Sequence, residues 1–139
     1  MRFKKIGSTY IIRLERGEKV IEKLLELCEK EKIKAGYFNG LGALDEVELA
    51  HFSLTTREYY SKKLSGQYEI TSLHGNISEM SGKGYIHAHI VVGDSQFNSW
   101  SGHLREATIS ATCEIFLVKL DGMINRKKDE ETGLNLLDI

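Results

Sequence analysis

His87, His89 and His103 lie within seventeen residues of one another, and their spacing suits a metal ion. The first two stand one residue apart in Tyr85-Ile-His-Ala-His-Ile-Val-Val92, an apolar run rich in β-branched side chains. In an extended strand, residues i and i+2 share a face about 6.7 Å apart, so both imidazoles can converge on one point. His103 arrives in Ser101-Gly-His-Leu104, after a break at Gly93-Asp94-Ser95 that can return the chain alongside. Three neutral imidazoles with one position open to water or substrate form the protein half of an accessible zinc site. Nickel, copper or iron could use the same ligands. The competing reading is that the pair is merely solvated on an open sheet face.

Other residues with chemical potential carry weaker signals. Glu114 shares a strand face with Ser110, Thr112, Phe116, Val118 and Leu120, which predicts a carboxylate removed from bulk water. Such a group needs a partner. A salt bridge to Arg13 or Arg105 is one reading. The catalytic one is a carboxylate orienting a metal-bound histidine, or a general base for a bound water. His74, in Ser72-Leu-His-Gly-Asn-Ile77, and His51 read as structural. Gly36 to Gly42 holds three glycines, but no Lys-Ser/Thr follows, so it is not a phosphate loop. Lys62-Lys63 and Arg126-Lys127-Lys128 read as solvated surface, and no serine stands in a nucleophile-elbow pattern.

The elements that must position the histidines are mostly strands. Thr9 to Leu14 predicts a strand, and Glu18 to Lys32 a long helix with Val20, Ile21, Leu24, Leu25, Leu27 and Cys28 on one stripe. Glycine-punctuated Gly36 to Leu44 and Val47 to Phe52 predict two strands joined by a tight hairpin at Asp45-Glu46. Further strands are expected over Glu58 to Leu64, Tyr68 to Ser78, Gly84 to Val92 and Ala107 to Leu120. In the histidine strand Ile86, Ala88, Ile90 and Val92 form the core face, leaving Tyr85, His87, His89 and Val91 on an open or intersubunit face. Short connections between strands and one helix give the class α+β with a mainly antiparallel sheet. Residues 125 to 139 form a polar tail whose cluster Leu134, Leu136, Leu137 and Ile139 is expected to dock on the domain or a neighbour.

The 139 residues suffice for one domain with a substantial core. A net charge of -1, from 19 Lys and Arg against 20 Asp and Glu, argues against a non-specific grip on nucleic acid. Cys28 and Cys113 fit no CxxC pattern and read as reduced core residues. With no secretory signal and no membrane-length apolar run, a cytoplasmic location without membrane association is expected.

Six segments occur in an order that resembles a known family. They are Tyr10-Ile-Ile-Arg-Leu-Glu-Arg-Gly-Glu18, Gly40-Leu-Gly-Ala43, Tyr68-Glu-Ile with Ser72 to Ser78, His87-Ala-His89, Gly102-His-Leu104 and Thr112-Cys-Glu114. Together they resemble the plant and prokaryote conserved (PPC) domain over residues 8 to 120, with 121 to 139 as a C-terminal extension of a single domain spanning 1 to 139. The resemblance implies a strongly curved antiparallel sheet around one long helix, assembled as a homotrimer, and it carries a DNA-binding label. In the plant relatives a separate AT-hook contacts DNA, and this chain has no Arg-Gly-Arg-Pro. The HxH and GHL histidines mark the prokaryotic, metal-containing branch, although here Ser101 replaces the first glycine of the usual Gly-Gly-His-Leu. Three roles therefore stand open: a trimer binding a divalent metal, expected to be zinc, through His87, His89 and His103; a DNA-binding or DNA-associated regulator; and a metal-dependent enzyme acting on a small molecule at that site.

Overall fold

The computed structural model describes residues 1 to 139. Six strands form the main sheet: β1 (Arg2–Ile6), β2 (Thr9–Glu15), β3 (Gly36–Ser53), β4 (Glu58–Met80), β5 (Lys83–Gly93) and β6 (Ser99–Lys119). The helix α1 (Val20–Glu31) follows β2, and a small hairpin of β7 (Arg126–Lys128) and β8 (Asn135–Leu137) ends the chain. Every strand pairing is antiparallel, in the order β1-β2-β6-β3-β4-β5, and β5 pairs again with β6. That last pairing joins β6, β3, β4 and β5 in a closed ring of hydrogen bonds, so the sheet must curl upon itself. The α+β, mainly antiparallel expectation holds.

The helix is shorter than expected. It covers 12 residues rather than running from Glu18 to Lys32. The reason lies in β6: Gly17 N–H donates to the Ile109 carbonyl at 2.7 Å, and Ile109 N–H donates to the Glu18 carbonyl at 2.9 Å. Residues 17 and 18 are thus held against the sheet, and Lys19 still has extended backbone at φ -98, ψ 133. Lys19 supplies no side-chain cap. Glu106 of β6 caps the helix instead, accepting from Ile21 N–H at 2.9 Å and Glu22 N–H at 3.2 Å. At the other end Lys32 turns left-handed at φ 53 and terminates the helix.

The strands are longer than expected. No hairpin forms at Asp45-Glu46, because β3 passes through that point with a register shift against both neighbours. A bulge absorbs the irregularity and re-aims the strand without ending it. Likewise β4 runs unbroken past Gly66, whose φ of 145 suits glycine. Gly40 and Gly42 permit the close approach of β3 to β6. A Cβ on Gly42 would stand 2.7 Å from the Cys113 Cα and collide with the Thr112 carbonyl, and one on Gly40 would lie 2.8 Å from Ile115.

One cluster of 24 buried residues fills the interior, including Val20, Leu24, Leu27 and Cys28 from α1 and Ala88, Ile90 and Val92 from β5. Both cysteines are buried and free of disulfides, as expected. The core face of β5 is the one its alternation predicts, so its histidines face outward.

Candidate metal centre

Strand register assembles the three histidines. His89 of β5 lies directly opposite His103 of β6, while His87 sits one step along the same face of β5, opposite Asn76 of β4. The break after Gly93 returns the chain alongside β5, as its glycine and polar residues suggest. His103 belongs to the first stretch of β6, which Ala107 to Leu120 had left out, and a short connection suffices. That connection is compact, with Asp94 Oδ1 accepting from the N–H groups of Gln96 and Asn98 at 2.9 Å.

Ring centroids of His87 and His89 are 5.2 Å apart, those of His87 and His103 5.2 Å, and those of His89 and His103 5.6 Å. One ring nitrogen from each lies within 4.8 Å of the others. A tetrahedral ion with bonds of about 2.0–2.1 Å spaces its nitrogens roughly 3.3 Å apart, a distance that small side-chain rotations reach. The protonation states agree with this. Burial is the first cause that lowers all three pKa values, assisted by Arg126 and His89 at His87 and by His74 at His89. His103 falls to about 4, through burial and then the neighbouring His87, His89 and Arg105. Neutral imidazoles with free lone pairs are what a divalent cation requires. The donor set fits such an ion.

The histidines lie in a cavity of about 480 Å³, also lined by Phe52, Tyr59, Asn76, Tyr85, Arg126 and the tail residues Leu134 to Leu137. Tyr59 packs against the His103 ring with centroids 5.5 Å apart, and the Arg105 guanidinium covers the Tyr59 ring at 4.4 Å. His51 lines the same cavity, whereas His74 stands beside His89 with centroids 6.4 Å apart, outside the cluster of three.

Two expectations need correction. Glu114 is exposed, not withdrawn from water, because Cys113, Ile115 and Leu117 take the core face and leave the alternate residues outside. It lies eleven residues along β6 from His103, outside the cavity, in a groove with Arg2, Phe3 and Ile11. Neither expected ion pair forms, since Arg13 pairs with Glu15 and Arg105 stacks on Tyr59. The second correction concerns Arg126, read as solvated surface with its basic neighbours. It is only 8% exposed, because the tail folds back as β7 and β8 and carries it onto β4 and β5. Arg126 Nε donates to Ser78 Oγ at 2.8 Å, Nη2 to Asn76 Oδ1 at 2.6 Å and Nη1 to the Asn135 carbonyl at 2.6 Å. The apolar cluster Leu134, Leu136, Leu137 and Ile139 was the one advance sign that this tail would dock, and of these Ile139 stays fully exposed at the chain end.

A curled antiparallel sheet with one short helix, bearing three clustered histidines on its outer face, defines the class. The chain belongs to the Plants and Prokaryotes Conserved (PCC) domain family, the PPC domain of the resemblance above, matching it over residues 1–121. A crystal structure of a candidate DNA-binding protein from Bacteroides thetaiotaomicron is similar with TM-score 0.96 and 34% identity, over 99% of this chain and 96% of that one. The metal-containing protein from Archaeoglobus fulgidus is similar with TM-score 0.90 and 30% identity, over 100% and 99% of the two chains. A bifunctional GlmU protein of Synechococcus sp. (strain JA-3-3Ab) is 30% identical over 127 residues, which are 89% of this chain but 19% of that protein. The chain thus spans a minor part of that relative's length.

Proposed function

We propose that this protein binds a divalent metal, zinc by preference, through His87, His89 and His103. The observation that carries this reading is the meeting of three imidazole nitrogens within 4.8 Å on one sheet face. Similarity to a metal-containing protein of Archaeoglobus fulgidus across nearly the whole of both chains supports it. A bound ion would supply Lewis acidity to a small molecule in the cavity, the chemistry of a metal-dependent enzyme. The chain's own residues would orient such a guest between Tyr59, Tyr85 and the tail and restrict water. Protein purified without a histidine tag is dialysed against zinc and its metal content measured. One zinc per chain, reduced to background by His103→Ala, is expected; no uptake by the unaltered chain rejects the reading.

Residues 1 to 139 act as a single PPC-like domain, with 121 to 139 as its extension, and three copies assemble. Support for self-association comes from large apolar side chains on the outer faces of β3 and β6: Tyr37 is 51% exposed, Leu41 61% and Phe116 50%. Cross-strand register places Phe116 beside Ile11, so part of this patch is continuous across two strands, while Tyr37 and Leu41 flank Asn39, the β3 residue opposite Phe116. Light scattering should return the mass of three chains.

DNA association is the second reading. It is favoured by similarity to a candidate DNA-binding protein and opposed by the net charge of -1. Absence of a gel shift at low salt would dismiss it.

A further inference from the structure

Arg126 is a buried cation without a carboxylate partner. Its three hydrogen bonds go to a hydroxyl, an amide oxygen and a backbone carbonyl, all neutral. The Tyr85 ring lies against the guanidinium at 4.7 Å. A guanidinium carries five N–H groups, so one remains on each terminal nitrogen. The charge that these neutral partners leave uncompensated borders a cavity that also holds the three histidines. Burying a charge is costly unless a counter-charge or a full set of hydrogen bonds compensates it. Arg126 lies in the extension beyond residue 121, where the family match ends. The β7–β8 hairpin brings Leu134, Leu136 and Leu137 along with it.

We infer that the cavity binds a small carboxylate with an apolar body, its carboxylate held by Arg126 and its body lying between Tyr59, Tyr85 and the tail leucines. The cavity's 480 Å³ falls within the range of small-molecule sites. A planar guanidinium with an N–H on each terminal nitrogen suits a carboxylate, which accepts two parallel hydrogen bonds. The aromatic and leucine walls suit a hydrocarbon body and disfavour a strongly hydrated phosphate. Where the metal reading holds, the ion and Arg126 present two positive centres to one anion. The inference rests on that reading for the ion's contribution, while Arg126 and the walls are independent of it.

The test uses the full chain, zinc-loaded and metal-free, titrated calorimetrically with benzoate, with its neutral analogue benzamide and with inorganic phosphate. Benzoate should bind and benzamide should bind at least about tenfold more weakly, as expected for loss of a charge-assisted hydrogen-bonded pair. Arg126→Gln should weaken benzoate by a similar factor while zinc content, measured separately, stays unchanged. Arg126→Lys keeps the charge without the planar fork, preserves packing if the glutamine variant fails to fold, and should weaken benzoate severalfold. Equal binding of benzoate and benzamide, or benzoate affinity unchanged in the lysine variant, overturns the inference. Phosphate binding in preference to benzoate overturns the carboxylate assignment. Failure to take up zinc would instead count against the metal reading, and the metal-free titrations would still decide this one.

Discussion

At the scale of single residues, the chemistry of the site is set by where imidazoles lose water. His103 remains neutral down to about pH 4 in the fold, because burial disfavours its charged form and the neighbouring His87, His89 and Arg105 add to the effect. In the unfolded chain the same group takes up a proton near its ordinary value, about 6.5. Between these values the unfolded state binds more protons than the native state. Stability is therefore complete above the unfolded pKa and declines as pH falls from about 6.5 towards about 4. His87 and His89, shifted in the same direction, add to the decline. Thermal melts of chelator-treated protein should show a falling midpoint over this window, and His103→Asn should flatten the profile. A midpoint independent of pH from 7 to 4 would contradict the burial of these rings.

At the scale of elements, two local devices hold the frame that carries the site. The helix α1 begins without a capping side chain of its own and relies on Glu106, whose carboxylate meets the N–H groups of Ile21, Glu22 and Ala107. Because Glu106 lies three residues beyond His103 on β6, one strand both anchors the helix and positions a candidate ligand. Glu106→Ala should lower stability by about 1 kcal/mol, as loss of an N-terminal cap does, in a urea titration. A neutral result would mean that water replaces the carboxylate. The second device is the glycine contact between β3 and β6. Gly42→Ala places a methyl group against the Cys113 backbone, where no flexible side-chain end can yield. It should cost roughly 1–3 kcal/mol by the same titration, in the range of overpacking that shifts backbone. Wild-type stability in this variant would mean that the two strands separate easily.

At the scale of the whole molecule, the outer sheet face joins two features that look separate along the chain. A continuous cross-strand row runs from Ile11 through Phe116, Asn39, His74 and His89 to His103. The apolar end of this row invites a second copy, and its polar end is the candidate metal centre. Phe116→Glu places a charge on the apolar end, thirteen strand positions after His103 on the same β6. Light scattering on this variant should show the assembly reduced to single chains, with zinc content per chain little changed. An unaltered mass would remove this face from the interface.

The alternation in residues 85 to 92 determines on its own that His87 and His89 share the face opposite the core, because strand periodicity is a local property. Likewise, the apolar stripe of α1 predicts its buried side, and the isolated buried cysteines follow from their apolar surroundings. Segment boundaries did not follow from local pattern. Asp45-Glu46 looks like a turn, but pairing on both sides turns it into a bulge, and residues 17 and 18 are withheld from the helix by bonds to β6. The fate of Glu114 and Arg126 also depended on distant chain. Which face of a long strand is buried, and whether a basic tail residue is covered, depend on what packs against them from far away in sequence. The three histidines were legible because strand geometry placed two of them; only the register of β5 against β6 brought the third opposite, and only the returning tail enclosed them with an arginine.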